Sequence, residues 1–263
     1  MFQGSSQHLI YQVQSKISGQ LANDAYQSII GYFRKSGIEF LAPLSSHVFL
    51  AQHPSMGQIT LKFAKSTPRK AILKNEAEFL NSNPATHWPR IIDYTSFRTI
   101  DALVINYIEG SPLSELIKNN APNPVTRQQL ERLLLALHQT GYVHGDIKPS
   151  NIIFNPNNGQ LSLIDFGSCR KIGTPLKDCL VNTWTPSFSG IHPSMDHLSA
   201  HALDDWYSVA ILFAVLQGQH PYEGKPLNEV ILEKNEIQIN SLPAHYQLIV
   251  LKRIRLLSRL LAP

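Results

Sequence analysis

HGDIKPSN, residues 144–151, places Asp146, Lys148 and Asn151 in one short loop, directly after an apolar stretch at helical spacing that ends near Gly141. Opposite charges and a carboxamide crowded into a segment made for tight turning are costly to desolvate unless a ligand satisfies them. A polyphosphate with its metal ion is such a ligand, because it brings anionic oxygens together with a cation that takes hard oxygen donors. Fourteen residues after Asn151, the apolar run LSLI (161–164) ends in DFG (165–167), which adds a second carboxylate. Either motif alone also fits an Asp-capped turn. Their order and spacing, with a strand-like run before Asp165, decide the reading.

Together the two motifs resemble the catalytic and metal-binding loops of the protein-kinase family, and the similarity runs from about Ile38 to beyond Gly224. The resemblance implies an α+β, two-lobed fold with a β-rich N-lobe and a mainly helical C-lobe, in a compact, divergent form of bacterial type. It makes Asp146 the base that orients the substrate hydroxyl, Lys148 the holder of the transferring phosphate, and Asn151 and Asp165 the Mg2+ ligands, with Mn2+ an alternative ion. TWTPSF (183–188) resembles the substrate-facing segment, in which Thr185 would contact Asp146 and Lys148. Asp205, near the start of the apolar LDDWYSVAILFAVLQG (203–218), would brace the catalytic loop.

Upstream of these loops, short β-type runs IEFLA (38–42), VFLAQ (48–52) and ITLKFAK (59–65) predict consecutive antiparallel strands, and IIDYTSF (91–97) and ALVINYI (102–108) predict two more. Strand alternation puts Lys62 with Thr60 and Ala64, and Phe63 with Lys65 on the opposite face. In a helix predicted over residues 71–81, Glu76 lies four residues from Ile72 and from Leu80, so a carboxylate falls on the apolar stripe and calls for a cation. Pairing with Lys62 would satisfy both charges, as the family's strand-to-helix ion pair does, and would place the lysine for the ATP phosphates. A partly exposed Glu76 beside a solvated Lys62 is the plainer alternative. By the same resemblance LVINYIEG (103–110) is the hinge. There Ile105 would line the back of the adenine pocket, the Asn106 and Ile108 backbones would meet the base edge, and Val48 and Ile153 would sandwich the ring.

Organisation along the chain reads as a helical N-terminal extension (1–37), an N-lobe (38–108) and a C-lobe (109–263), one kinase domain in total. The 263 residues suffice for a sizeable core. A net charge of +4, dispersed along the chain, gives no reason to expect a nucleic-acid platform; Lys252, Arg253, Arg255 and Arg259 read as the solvated face of a helix. Two cysteines make neither a disulfide framework nor a tetrahedral metal set, and with no secretory leader or membrane segment in sight a cytoplasmic address is expected, export by a non-standard signal being left open.

Three departures from the family pattern matter. Where the family has a glycine-rich lid over ATP, this chain has Leu41, Pro43 and Ser46, so the Ser45 and Ser46 hydroxyls are left to contact the phosphates. HGD stands where many members have His-Arg-Asp, which removes the arginine that receives an activation-segment phosphate. Phosphate on Thr174, Thr183 or Thr185 is then expected to be unnecessary for activity, unless Arg170, Lys171 or another cation substitutes. GIHP (190–193) stands where Ala-Pro-Glu is expected, so a glutamate that pairs with a late arginine is absent.

The expected activity is ATP- and Mg2+-dependent phosphoryl transfer to Ser/Thr hydroxyls of protein substrates. The lysine two residues after Asp146 resembles that of Ser/Thr protein kinases. A catalytically silent binding module and a small-molecule phosphotransferase are the alternatives.

Overall fold

A computed structural model describes residues 24–97, 99–119, 123–179, 184–191 and 195–261, with the side chains of 24–28 left out. Thr183, His192 and Pro193, singled out above, lie outside the described residues, as do residues 1–23 of the expected N-terminal extension. The described chain divides into two compact units. One runs to Ala85 and resumes over Pro89–Ile108; the other comprises Thr86–Trp88 and the chain from Glu109 onward.

The first unit is built on a five-stranded antiparallel sheet, β1 (Glu39–Ser45), β2 (Val48–His53), β3 (Gly57–Ala64), β4 (Ile91–Phe97) and β5 (Ile100–Asn106), in the spatial order β1-β2-β3-β5-β4. Its helices are α1 (Asp24–Lys35), before β1, and α2 (Thr67–Ser82), between β3 and β4. Helix α2 starts four residues earlier than its apolar stripe predicts, because Pro68 is well placed in a first helical turn, where its missing N–H costs nothing.

Register sorts the side chains of this sheet. Val48 lies opposite Lys62, Lys62 opposite Leu103, and Thr60 opposite Ile105, so these residues share one face. The other face carries Phe49, Ala51, Ile59, Leu61, Phe63, Ala102 and Val104, all buried in one cluster with Phe40. Helix α1 covers that second face: Ile29 and Phe33 are buried in the same cluster, and the Phe33 ring meets Phe63 edge-on at 5.9 Å. Each such side chain contributes about 2 kcal/mol by leaving water. The sheet therefore has an apolar layer on its back, closed by a helix that carries no motif.

The second unit is mainly helical. Two-residue β6 (Ser111–Pro112) leads into α3 (Leu113–Lys118) and α4 (Arg127–His138). Thr126 and Gln129 form a capping box that starts α4: Thr126 Oγ1 accepts from the Gln129 N–H at 3.3 Å and Gln129 Oε1 from the Thr126 N–H at 2.8 Å. The short strand β7 (Tyr142–Val143) precedes the HGD loop. Strands β8 (Ile152–Phe154) and β9 (Leu161–Leu163) form a hairpin that joins β6, while β10 (Arg170–Lys171) pairs with β7. Helices α5 (Ala202–Leu216), α6 (Leu227–Leu232) and α7 (Ala244–Leu260) complete the unit. Helix α5 is apolar on almost every side, and Val209 to Leu212 are all buried, which makes it the unit's central helix. No described helix is long and apolar enough to cross a membrane.

Arg253 departs from the solvated face read from the charge run in α7. Its side chain is 10% exposed, and its guanidinium pairs with the buried Asp204 of α5. The carboxylate 49 residues away desolvates and holds it, while Lys252, Arg255 and Arg259 remain exposed. Gly190 makes the approach possible, since a Cβ there would stand 2.6 Å from Arg253 Cγ. The arginine near the end of the domain is thus neutralised without the glutamate that GIHP lacks.

Candidate active site

The centre of the site in the second unit is a closed polar triangle. The Thr185 hydroxyl donates to Asp146 Oδ1 at 2.8 Å, Lys148 Nζ donates to Asp146 Oδ2 at 2.7 Å, and the same ammonium donates to Thr185 Oγ1 at 3.0 Å. Asn151 closes it from behind: its Nδ2 donates to the Asp146 backbone oxygen at 2.9 Å and more weakly to Asp146 Oδ2 at 3.3 Å. These residues come from the HGD loop, the 3-10 turn Pro149–Asn151, and the segment after Trp184.

Asp205 at the start of α5 fixes the loop. Its Oδ2 accepts from the His144 N–H at 2.7 Å and its Oδ1 from the Gly145 N–H at 2.9 Å, so one carboxylate satisfies two successive backbone donors. His138 Nε2 donates to Asp205 Oδ2 at 3.0 Å. The fully buried His144 connects the two motifs: its Nε2 donates to the Ile164 carbonyl at 3.1 Å, one residue before Asp165, and its Nδ1 accepts from the Asp146 N–H at 3.3 Å. Ile164 in turn donates its N–H to the Asn151 carbonyl at 2.9 Å. Backbone and imidazole thereby bring the HGD and DFG motifs side by side. Neither histidine was picked out from the sequence, although His144 opens the decisive stretch.

Asp165 adopts a left-handed backbone conformation with φ of 68°, one of the few non-glycine residues to do so. A short acidic side chain tolerates this conformation better than most. Among the described residues no group of three or more His, Cys, Asp or Glu gathers as a metal cluster. The donor set of Asn151 and Asp165 is a different kind: one carboxamide oxygen and one carboxylate. With Asn151 Nδ2 spent on Asp146, its Oδ1 is the atom left to act as a ligand, and hard oxygens of this sort suit Mg2+, which completes its shell with waters and phosphate oxygens.

In the first unit Lys62 and Glu76 meet as expected from their periodicities. Lys62 Nζ lies 2.7 Å from Glu76 Oε1 and 2.8 Å from Oε2, with the glutamate side chain only 1% exposed. Glu78, by contrast, is exposed and reaches Lys74 at 3.7 Å. Val48 and Ile105 lie on the Lys62 face of the sheet. The Asn106 N–H is committed to the Arg90 carbonyl at 3.1 Å, so of its backbone groups only the carbonyl is left for a base edge. Ile108 closes this unit at half burial, while Ile153 is buried in β8 of the other unit. Ser45 and Ser46 are exposed at the β1–β2 turn, where Ser45 pairs with Val48.

Electrostatics at the edge of the Thr185 segment rest on His220. Its Nε2 donates to the Ser187 carbonyl at 3.0 Å and its Nδ1 accepts from the Tyr222 N–H at 3.3 Å. Burial holds its pKa below the usual histidine value, against the opposing pull of the Ser187 carbonyl.

A model of the protein kinase domain matches residues 45–262, most of the chain. The chain belongs to the protein kinase family. Its α+β, two-lobed fold, with a β-rich N-terminal sheet and a helical C-terminal region, is that of the family. The kinase domain is similar to human serine/threonine-protein kinase MRCK gamma, with 32% identity over 139 residues that cover 48% of this chain and 9% of that protein. It is similar to mitogen-activated protein kinase kinase 2 of Arabidopsis thaliana, at 27% over 68% of this chain and 52% of the relative. A probable serine/threonine-protein kinase 2 of Plasmodium falciparum shares 29% over 55% of this chain and 29% of its own length. The chain thus spans about half the length of one of these relatives and under a third of the other two.

Proposed function

We propose that this kinase domain transfers the terminal phosphoryl group of ATP to Ser or Thr hydroxyls of protein substrates. The observation that carries the reading is the Asp146–Lys148–Thr185 triangle, in which a carboxylate already accepts from an alcohol while an ammonium lies against both. A substrate alcohol in the place of Thr185 Oγ1 would donate to Asp146 and yield its proton as its oxygen bonds to phosphorus and the bond to the ADP oxygen breaks. Lys148 offsets the charge on the transferring group. Lys62, held by Glu76, anchors the ATP phosphates; Val48, Ile105 and Ile153 serve the adenine, with the Asn106 carbonyl and Ile108 backbone at its edge. Asn151 and Asp165 would hold Mg2+, or Mn2+ in its place, and that ion would supply charge neutralisation of the phosphates. Names of the relatives favour Ser/Thr acceptors.

A second reading, nucleotide binding with little or no transfer, is favoured by one observation: the β1–β2 turn that would contact phosphates holds Ser45 and Ser46 and no glycine. The deciding experiment incubates purified protein with labelled ATP and Mg2+, with and without a generic basic protein acceptor. Label on protein supports the proposal. Label on a small molecule, or on nothing while ATP still binds, replaces it with one of the two alternatives.

A further inference from the structure

Lys70 and Asp101 form a second ion pair between helix α2 and the sheet, separate from Lys62–Glu76. Lys70 Nζ lies 3.0 Å from Asp101 Oδ1, and the Tyr94 hydroxyl donates to Asp101 Oδ2 at 2.9 Å. Asp101 is 8% exposed. Burial pulls its carboxyl up, but the bonds from Lys70, Tyr94 and Ser96 hold it below the ordinary aspartate value, so the pair is charged at neutral pH.

Register puts both pairs on one face of the sheet. Lys62 of β3, Leu103 of β5 and Tyr94 of β4 lie in one row across three strands, and Ala64, Asp101 and Ser96 lie in another. Residues 101 and 103 are two apart on β5, so the rows share a face, which also carries Ile105 and on which α2 lies. A carboxylate buried there beside Leu103 and Ile105 gains little stability over an apolar side chain of similar size. What a buried ion pair can add is a preference for one arrangement over its neighbours.

The polarity of the two pairs supplies that preference. At Lys62 the sheet gives the cation and α2 the anion; at Asp101 the roles are reversed. Lys70 and Glu76 stand six residues apart on α2, roughly 9 Å along its axis. A helix held by one pair can pivot about it. Held by two pairs of opposite sense, it has one rotation and one register in which both close. A slip of one turn either way would set Ile72 or Leu80 against Lys62.

We propose that Lys70 and Asp101, together with the Tyr94 hydroxyl, are positioning residues for the ATP-phosphate contact of Lys62. They fix α2 so that Glu76 holds the Lys62 ammonium where the phosphates meet it, and all three act through Glu76. The proposal rests on the phosphoryl-transfer reading only for the phosphate-anchoring role of Lys62.

The test is calorimetric titration with ATP and with adenosine, both in Mg2+, because adenosine lacks the phosphates that Lys62 anchors. The ratio of the two affinities is compared among the parent, Lys70→Met, Glu76→Gln, Lys70→Met combined with Glu76→Gln, and Lys70→Met combined with Asp101→Leu. The apolar replacement of both pair members is expected to unfold in urea at no lower concentration than the parent. It should nevertheless lose roughly tenfold in its preference for ATP, with adenosine affinity kept. In the Glu76→Gln background Lys70→Met should cause no further loss of preference, since the pair that it positions is already gone. The proposal is overturned by an apolar replacement that keeps the parent's preference, by ATP and adenosine affinities that fall together, or by losses from Lys70→Met and Glu76→Gln that simply add. Should the apolar replacement not fold, Tyr94→Phe decides: a drop in ATP preference with adenosine affinity kept supports the positioning role, and an unchanged preference overturns it. A parent that prefers ATP but transfers no label refutes transfer alone, and the ratios still decide the positioning. A parent that binds ATP no better than adenosine removes the Lys62 anchor and the proposal with it.

Discussion

The Thr185 hydroxyl donates to Asp146 Oδ1 at 2.8 Å, so an alcohol of the chain itself occupies the carboxylate proposed to receive the substrate's alcohol. Asp146→Asn keeps the size and most of the hydrogen bonding but removes the proton acceptor. The expected result is a fall in kcat of at least ~10²-fold with folding and nucleotide affinity retained. Initial rates, circular dichroism and nucleotide titration on one preparation check this, and full turnover by the variant removes Asp146 from the reaction.

Asp165→Asn is the cleaner probe of metal binding, because asparagine tolerates the left-handed backbone of this position whereas alanine would add strain to the loss of charge. Calorimetric titration with ATP is expected to show a large Mg2+ enhancement for the parent and little for the variant. Equal enhancement in both would count against a ligand at Asp165.

The Lys62–Glu76 pair should behave as a buried one. Glu76→Gln leaves an ammonium facing a neutral group in a site where the glutamate is 1% exposed, and the expected loss is about 3 kcal/mol in urea unfolding. Lys62→Met combined with Glu76→Leu should recover most of it. A loss under about 1 kcal/mol for Glu76→Gln would place the pair with surface ion pairs.

Gly190→Ala tests the Arg253–Asp204 contact from outside it. The new methyl would meet Arg253 Cγ at 2.6 Å and push the arginine off a buried carboxylate, with an expected cost of ~1–3 kcal/mol. In an Arg253→Ala background the same substitution should cost little, and simple additivity of the two losses would refute the coupling.

His220 predicts the pH response of the Thr185 segment. Its folded pKa lies below the unfolded value of ~6.5, so the unfolded chain takes up the proton first as pH falls. Its contribution is complete above pH ~6.5 and is lost as pH drops below that toward the folded pKa. Melting curves at pH 7.5 and 5.5 should therefore show a larger drop in Tm for the parent than for His220→Gln. Equal drops would exclude His220.

Legibility in the sequence followed how local the signal was. The Lys62–Glu76 pair could be read because a period of two on a strand and 3.6 on a helix each fix a face, and each face held one charge. Asp205 could be read only through the resemblance, because Asp204 beside it is an equally placed acid in the first turn of the same apolar helix. Arg253 could not be, since its partner Asp204 is distant in the chain and the charge run around it is what a solvated helix also shows. Packing of α1 was equally hidden: its periodicity gives an apolar stripe, and nothing in that stripe says which surface it covers. Arg170 stood out only as a candidate substitute for an absent arginine, and its burial beside Gly145 depends on the pairing of two two-residue strands.

The helix over the back of the sheet also bears on how the protein can be handled. A version begun at Ile38 would keep every residue named in the candidate site yet lay bare Phe40, Phe49 and Phe63, three aromatic rings in mutual contact. An uncovered ring cluster of that kind is a self-association surface, so a shortened kinase fragment would be more prone to precipitate than the longer chain, and Ile29 and Phe33 act as its built-in solubiliser.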